Sequence, residues 1–175
     1  MLTEVDKAYL AGMIDGEGCI SIAVCHKKGR NYFRLILGIY NNDQDLIDWI
    51  SDTLESIART SYVHKRSRTF RWEASGSQAQ VVLREMKPYL KVKKQQAELA
   101  LAMSIAPYGG ASRNSYSEEE ESFRGYLREQ VMLQNRKNGN KGSYHANKNL
   151  TQKEVKNPLA RYGKTANEEL VGIVN

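Results

Sequence analysis

The amino-acid sequence predicts an α+β fold with the element order αββαββα and a four-stranded antiparallel sheet. Apolar and polar residues alternate in 19–25 and again in 32–40, and the turn segment HKKGRN separates them, which is typical of a hairpin. A second hairpin pattern occupies 61–75, with a basic turn near 66–68. Helical patterns precede and follow each hairpin, so the helices are expected to pack on one sheet.

The first helix is expected to begin at Thr3, which lies three residues before Asp6 in the arrangement of a capping box. Gly16 and Gly18 are expected to end it. The strands that follow should bury one face each, because their apolar residues recur with a period of two. The predicted core positions are Ile20, Ile22, Val24, Leu35, Leu37, Ile39, Phe70 and Trp72.

The second helix is expected to start at Asn42 or Asp43, either of which can cap it, and to continue through 46–57. Further helices are predicted at 77–86, stopped by Pro88, at 94–105, and at 118–134. From residue 135 the sequence becomes polar and basic. We therefore predict a domain at 1–134 and a basic C-terminal extension at 135–175, with a short terminal helix at 167–174.

Composition limits the classes of function. The chain has 175 residues, 41% hydrophobic residues and a net charge of +6, which fits one globular domain with an anionic partner or only a basic surface. Two cysteines and three histidines offer neither a disulfide framework nor a zinc site, which favours a reducing intracellular compartment. No secretory signal or membrane-spanning run is evident, so we expect a soluble protein with no membrane partner.

The segment LAGMIDGEG (10–18) combines two features that are unusual for a helix. Gly12 and Gly16 lie on one helix face, where glycine costs about 1 kcal/mol each relative to alanine. They indicate a close backbone approach, by another element of the same fold or by a partner. Asp15 and Glu17 fall at the C-terminal end, where negative charge is unfavourable unless a divalent cation reverses the sign.

This segment resembles the signature motif of the LAGLIDADG homing endonucleases, in the single-motif branch that acts as homodimers. The resemblance extends from residue 8 to about residue 107 and includes the Trp49 helix and MKPYLKVKKQQAELAL (86–101). It implies a saddle-shaped sheet and site-specific cleavage of double-stranded DNA across the minor groove of a long pseudo-palindromic site. The implied cofactor is Mg²⁺, with Mn²⁺ or Ca²⁺ able to substitute in binding.

The resemblance also implies roles for individual residues. Glu17 corresponds to the essential acid, Gly16 to a metal-binding backbone carbonyl, and Lys93 to an active-site lysine. When this chain is aligned with the family on Trp49, Asp43 corresponds to a polar residue that organises water. Glu17 departs from the aspartate of the best-known single-motif members. The implied dimer interface comprises Leu10, Ala11, Gly12 and Gly16.

The sheet face opposite the core is predicted to bind DNA, because basic residues are concentrated on its strands and turns. Lysines in the turns are expected to contact phosphates. The alternative for any single residue is a solvated sheet face. The predicted DNA-binding residues are Ser21, Lys27, Lys28, Arg30, Arg34, Tyr40, His64, Arg66, Arg68 and Arg71.

The first functional hypothesis is therefore a homodimeric homing endonuclease in an organelle (chloroplast or mitochondrion) or a prokaryotic cytoplasm. The alternative is an RNA maturase that uses the same fold to assist splicing of its own group I intron RNA. A transcription factor that does not cleave DNA is a weaker hypothesis, since no helix-turn-helix pattern accompanies the domain.

Overall fold

The computed structural model describes residues 2–27, 29–58, 62–66, 69–104 and 117–137. Its elements, in chain order, are α1 (Glu4–Glu17), β1 (Gly18–Lys27), β2 (Arg30–Asn41), α2 (Gln44–Glu55), β3 (Tyr62–Arg66), β4 (Thr69–Ser75), α3 (Ser77–Met86), a 3₁₀ turn (Lys87–Tyr89), α4 (Lys94–Ala102) and α5 (Glu118–Lys137). The predicted α+β order is confirmed. Among these helices, none is both long enough and apolar enough to cross a membrane.

The four strands form one antiparallel sheet with the spatial order β1-β2-β4-β3. Ile22 pairs with Leu35 between the first two strands, and Ile39 pairs with Trp72 between the central two. In the second hairpin, Val63 pairs with Trp72. The turn of the first hairpin contains Gly29, whose φ of +74° lies in the left-handed region that glycine adopts without steric cost.

One face of the sheet packs against the helices and forms the hydrophobic core. The predicted core positions lie there: six are buried, and Val24 and Phe70 are partly buried against them. Trp72 is the largest fully buried side chain. The alternation of apolar residues therefore assigned the two faces of the sheet correctly, since successive side chains of a strand point to opposite faces.

Several helices end at other positions than predicted: α2 ends at Glu55 rather than 57, and α4 ends at Ala102 rather than 105. Thr3 and Asp6 form the expected capping box, but α1 continues through Gly16 and ends at Glu17. The residue that requires glycine is Gly18, because a Cβ atom there would lie 2.5 Å from the Ile14 carbonyl oxygen. At the other end of the domain, α5 continues to Lys137, across the predicted boundary at 134/135. The remainder of the extension and its terminal helix lie outside the described residues.

Helix α5 covers the open edge of the sheet. Strand β1 is an edge strand, and the buried Asn135 side chain donates a hydrogen bond of 3.0 Å to the Ile20 carbonyl. The side-chain carbonyl oxygen of Asn135 in turn accepts a hydrogen bond of 3.3 Å from the Gln96 side chain on α4. One amide thus joins α4, α5 and β1, and satisfies an edge carbonyl that would otherwise be buried without a partner.

We expect Asn135→Ala to lower the free energy of unfolding by about 1–3 kcal/mol, because it leaves buried polar groups of Ile20 and Gln96 unpaired. Urea denaturation followed by circular dichroism measures this change. Arg136→Ala, at the next and exposed position of α5, is the control and should change the value by less than about 0.5 kcal/mol. Equal effects of the two substitutions would contradict the role assigned to Asn135.

Candidate functional site

The C-terminal end of α1 is attached to the segment that precedes α4 through the carboxylate of Asp15. Its Oδ2 atom accepts hydrogen bonds from the backbone N–H groups of Lys91 (2.7 Å) and Val92 (3.2 Å), and its Oδ1 atom accepts from Lys93 (2.8 Å). Hydrogen bonds to a charged group are worth about 1.5–3 kcal/mol each. Asp15 therefore has a structural role.

Lys93 is brought to the same point. It is the N-cap residue of α4, only 7% of its surface is exposed, and its ammonium group donates a hydrogen bond to the Asp15 carbonyl. Burial lowers the pKa of Lys93, because a charged ammonium group loses hydration there. The nearby carboxylates of Asp15 and Glu17 oppose this lowering of the pKa and so favour the charged form.

Glu17 lies at the exposed last position of α1, and Gly16 beside it is also exposed. Within the part of the chain that the structure describes, the Glu17 carboxylate forms no hydrogen bond or salt bridge. A carboxylate and a backbone carbonyl are suitable oxygen ligands for Mg²⁺ or Ca²⁺. No group of three or more His, Cys, Asp or Glu side chains converges on a point among the described residues.

Asp43 caps a helix in the structure. It is the N-cap of α2, where its Oδ1 atom accepts a hydrogen bond of 3.1 Å from the Leu46 N–H group. Its own N–H group donates to the Asn41 side chain at 2.9 Å. Of the two predicted caps the structure selects Asp43. Its expected water-organising role stays a prediction.

The exposed face of α1 is apolar and is formed by Val5, Tyr9, Gly12 and Gly16. These positions are three or four residues apart, so they lie in one stripe along the helix. A Cβ atom added at either glycine would meet nothing within 4 Å, so the chain's own packing does not explain these glycines. Leu10 and Ala11 are fully buried in the core of the same chain and offer no side-chain surface to a partner.

The predicted DNA-binding residues are placed by the sheet. Arg34 is exposed on the face opposite the core, while Ser21, Tyr40 and Arg71 are half-buried on that face. His64 and Arg66 pair in register with Arg71 and Thr69. Lys27 ends β1 and Arg30 begins β2, at the tip of the first hairpin. Lys28 and Arg68 lie outside the described residues.

Gly38, Glu73 and Cys19 also belong to this region, although the sequence analysis assigned no functional role to them. The Tyr40 ring lies over Gly38, where an added Cβ would be 3.2 Å from the ring. Glu73 is paired with Arg71 on the same face, and Cys19 is near both Tyr40 and Lys93. Strand alternation places Glu73 beside Arg71, but no sequence signal indicates that a ring covers Gly38.

Comparison with known proteins agrees with this arrangement. A family model described as the PI-PfuI endonuclease subdomain matches residues 4–81. No curated protein sequence matches the chain significantly. One similar structure is the homing endonuclease I-CvuI in complex with its target in the presence of Ca, with a TM-score of 0.62 and 22% identity over 74% of this chain and 82% of that chain.

Two other structures are similar. The archaeal intron-encoded homing endonuclease I-Vdi141I, complexed with DNA, has a TM-score of 0.61 and 13% identity, covering 75% of this chain and 84% of that chain. The LAGLIDADG meganuclease I-AabMI, bound to uncleaved DNA, has a TM-score of 0.55 and 23% identity, covering 70% of this chain and 43% of that chain. The chain has the fold of the LAGLIDADG homing endonucleases. The resemblance found in residues 10–18 is therefore confirmed.

The LAGLIDADG fold places the motif on α1, with its last acid exposed at the junction of α1 and β1. The buried Lys93 lies at the same junction, although it is 78 residues from Asp15 in sequence. The predicted catalytic residues Glu17 and Lys93 are thus brought together, since the negative charge of Glu17 acts on the Lys93 ammonium group. Asp43 lies at the start of α2.

We expect stability to depend on pH through Lys93. Because burial lowers its pKa in the folded chain, the unfolded chain binds more protons as the pH approaches 10.5, and folding becomes more favourable. The free energy of unfolding of the wild type should therefore rise relative to that of Lys93→Met as the pH is raised towards 10.5. Urea titrations at several pH values measure this difference.

Lys94→Met is the matched control, because it removes an exposed lysine at the next position. Subtracting its trend corrects for effects common to any lysine lost from this segment. A difference between wild type and Lys93→Met that is flat, or that falls with pH, would contradict the burial effect on Lys93.

Proposed function

We propose that this chain is a site-specific DNA endonuclease that acts as an intracellular homodimer with Mg²⁺ and hydrolyses one phosphodiester bond with each subunit. The observation that supports this most directly is the position of Glu17. It is an exposed carboxylate without hydrogen bond or salt bridge among the described residues, at the end of the only described helix whose outer face has two uncovered glycines.

The oxygen atoms at the end of α1 are suitable ligands for a divalent cation. Glu17 and the Gly16 carbonyl would hold it, and it would supply activation of water and stabilisation of the leaving oxygen. The remaining ligands would come from the second subunit and from DNA phosphates, since one chain has no complete ligand cluster in its described part. Two structures of I-CvuI with DNA were solved in the presence of Ca and of Mg, which supports a divalent ion for this fold.

Lys93 is suited to stabilise negative charge that develops on the attacked phosphate. Its side chain is enclosed and its ammonium group is held against the Asp15 carbonyl, so it needs little reorganisation during the reaction. Asp15 orients Lys93 through the backbone N–H of the same residue. In this proposal Glu17 binds the cation, Lys93 acts on the phosphate, and Asp15 keeps both in place.

The outer sheet face is the proposed DNA surface. The net charge of the chain is +6, and Arg34 and Arg71 lie on this face opposite the core. A sheet of this kind can enter the major groove, where arginine forms paired hydrogen bonds to guanine. The solved structures of I-CvuI, I-Vdi141I and I-AabMI are described as DNA complexes, which supports the same partner for this chain.

The homodimer is supported by the apolar surface of α1. Val5 is 77% exposed and Tyr9 is 50% exposed. The Tyr9 ring packs edge-on against the half-exposed Trp49, with the two ring centroids 5.4 Å apart. These side chains are continuous with Gly12 and Gly16, where a second helix can approach closely. The chain covers 82% of I-CvuI but only 43% of I-AabMI, which fits a unit that is used once in some chains and twice in others.

We expect Glu17→Gln to reduce cleavage of a randomised DNA library with Mg²⁺ by on the order of 10³-fold or more, because it removes the charge that holds the cation. Binding to the same library should change little. Sequencing of the cut ends measures cleavage and also reports the overhang and the symmetry of the site. Glu55→Gln is the matched control, since Glu55 is the exposed last residue of α2.

The proposal is wrong if Glu17→Gln cuts as fast as the wild type, or if the wild type binds DNA but cuts none of the library. Equal loss of cleavage in Glu17→Gln and Glu55→Gln would also contradict it, because it would indicate a general effect of lost negative charge.

We expect Gly12→Leu to weaken dimerisation by at least on the order of tenfold while the chain stays folded, because leucine favours a helix but holds a partner helix away. Analytical ultracentrifugation over a range of concentrations measures the dimer constant, and thermal unfolding checks the fold. Ser122→Leu, at an exposed position of α5, is the control. Unchanged dimerisation of Gly12→Leu would place the interface elsewhere.

A further inference from the structure

Two attachments to α4 flank Glu17 in the sequence. On one side, Asp15 accepts hydrogen bonds from the backbone of the segment before α4. On the other side, the Ile20 carbonyl accepts from the Asn135 side chain, which in turn accepts from Gln96 of α4. The second attachment therefore passes through a residue of α5. We call the two hydrogen bonds that join Gln96, Asn135 and Ile20 the amide relay.

One end of the amide relay is attached to β1 close to Glu17. Strand β1 begins at Gly18, directly after the last residue of α1, so no loop separates Glu17 from the strand. At about 3.3 Å per strand residue, Ile20 lies about 10 Å along the chain from Glu17. Among the described strands β1 pairs only with β2, so hydrogen bonds within the sheet do not set its distance from α4. A shift of β1 at Ile20 is therefore transmitted to Glu17.

The other end of the amide relay lies in the first turn of α4. Gln96 is three residues after Lys93, the N-cap residue, whose carbonyl accepts a hydrogen bond of 3.0 Å from the Ala97 N–H group. At a rise of about 1.5 Å per residue, Gln96 and Lys93 are about 5 Å apart along the helix axis. The relay thus joins the turn that holds Lys93 to the strand that follows Glu17.

The amide relay has one direction. The Ile20 carbonyl can only accept, so the Asn135 side chain presents its NH₂ group there. The Asn135 oxygen then faces Gln96, which must donate. Both amides are buried, so an alternative arrangement would leave polar groups without partners. The two bonds therefore hold β1 and α4 in one relative position.

We propose that Asn135 and Gln96 are positioning residues for DNA cleavage, and that the amide relay sets the separation between Glu17 and Lys93. Asp15 fixes this separation from the side of α1, and the relay fixes it from the side of β1. Both residues lie beyond the segment that the family model matches, which ends at residue 81. Helix α5 is then part of the catalytic framework as well as a cover for the sheet edge. This inference rests on the proposed endonuclease function.

The test is single-turnover cleavage with Mg²⁺, with the protein in excess over a DNA site recovered from the randomised library. Binding to the same site is measured with Ca²⁺ in place of Mg²⁺. Gln96→Met keeps an unbranched side chain and the Ile20 bond, but removes the bond between α4 and α5. It should lower the cleavage rate constant on the order of 10²-fold, because a displacement of about 1 Å has an effect of this size. The dissociation constant for DNA should change by less than about twofold, since neither amide is exposed to a ligand.

Asn135→Leu removes both bonds and should cleave as slowly as Gln96→Met. The double variant should cleave within about twofold of the slower single variant, because a relay that is already broken loses nothing more. Val82→Ala is the control for lost stability, since Val82 is fully buried on α3 and takes no part in the relay. It should lower the unfolding temperature but leave the cleavage rate constant unchanged. Thermal unfolding identifies a temperature at which every variant is folded, and Gln96→Met decides the outcome if Asn135→Leu does not fold.

The outcomes separate this inference from the proposed function. If the wild type cuts DNA and Gln96→Met cuts it as fast, Asn135 only closes the sheet edge, and the endonuclease function stands without the positioning role. A loss of cleavage in Val82→Ala as large as in Gln96→Met would overturn the positioning role, and so would equal losses of binding and cleavage in Gln96→Met. If the wild type neither binds nor cuts DNA, the proposed function and this inference both fail.

Discussion

The three hydrogen bonds that the Asp15 carboxylate accepts from residues 91–93 are the constraint on which the candidate site depends. They join the end of α1 to the start of α4, two segments that the sequence separates by 78 residues. Because the acceptor is charged, the contact is stronger than an ordinary hydrogen bond. It brings Lys93 to the junction of α1 and β1, where Glu17 is exposed. The hydrogen bond from the Lys93 ammonium group to the Asp15 backbone carbonyl reinforces this arrangement.

The two acids of the motif have opposite roles because of their spacing. Residues two apart on a helix point to nearly opposite sides, so Asp15 is directed at the neighbouring loop while Glu17 is directed outwards. The charge of Asp15 is balanced by backbone N–H groups, and Glu17 is left available for a ligand. The glycines of the motif also differ in whether contacts within the chain require them. Gly18 is required by contact with Ile14, whereas Gly12 and Gly16 have no contact within the chain that would exclude a side chain.

The edges and faces of the sheet show a similar division between stability and function. The core face and the edge of β1 are closed by apolar packing and by Asn135, which satisfies the Ile20 carbonyl. The outer face keeps charged and aromatic groups that are paired with one another, as in Tyr40, Arg71 and Glu73. A rigid core face allows the outer face to hold its side chains in fixed directions.

Local sequence patterns determined the element order, the two faces of the sheet, the Thr3 cap and the family motif, because each depends on residues close together in the chain. The role of Asp43 could not be decided in that way, since a residue between a strand and a helix can cap the helix or act in a site. Likewise, Leu10 and Ala11 were assigned to the dimer interface, but packing against other elements buries them in their own chain. The contacts of Asp15 with Lys93 and of the Tyr40 ring with Gly38 and Arg71 were set only by the tertiary structure, because they depend on how distant segments and neighbouring strands approach one another.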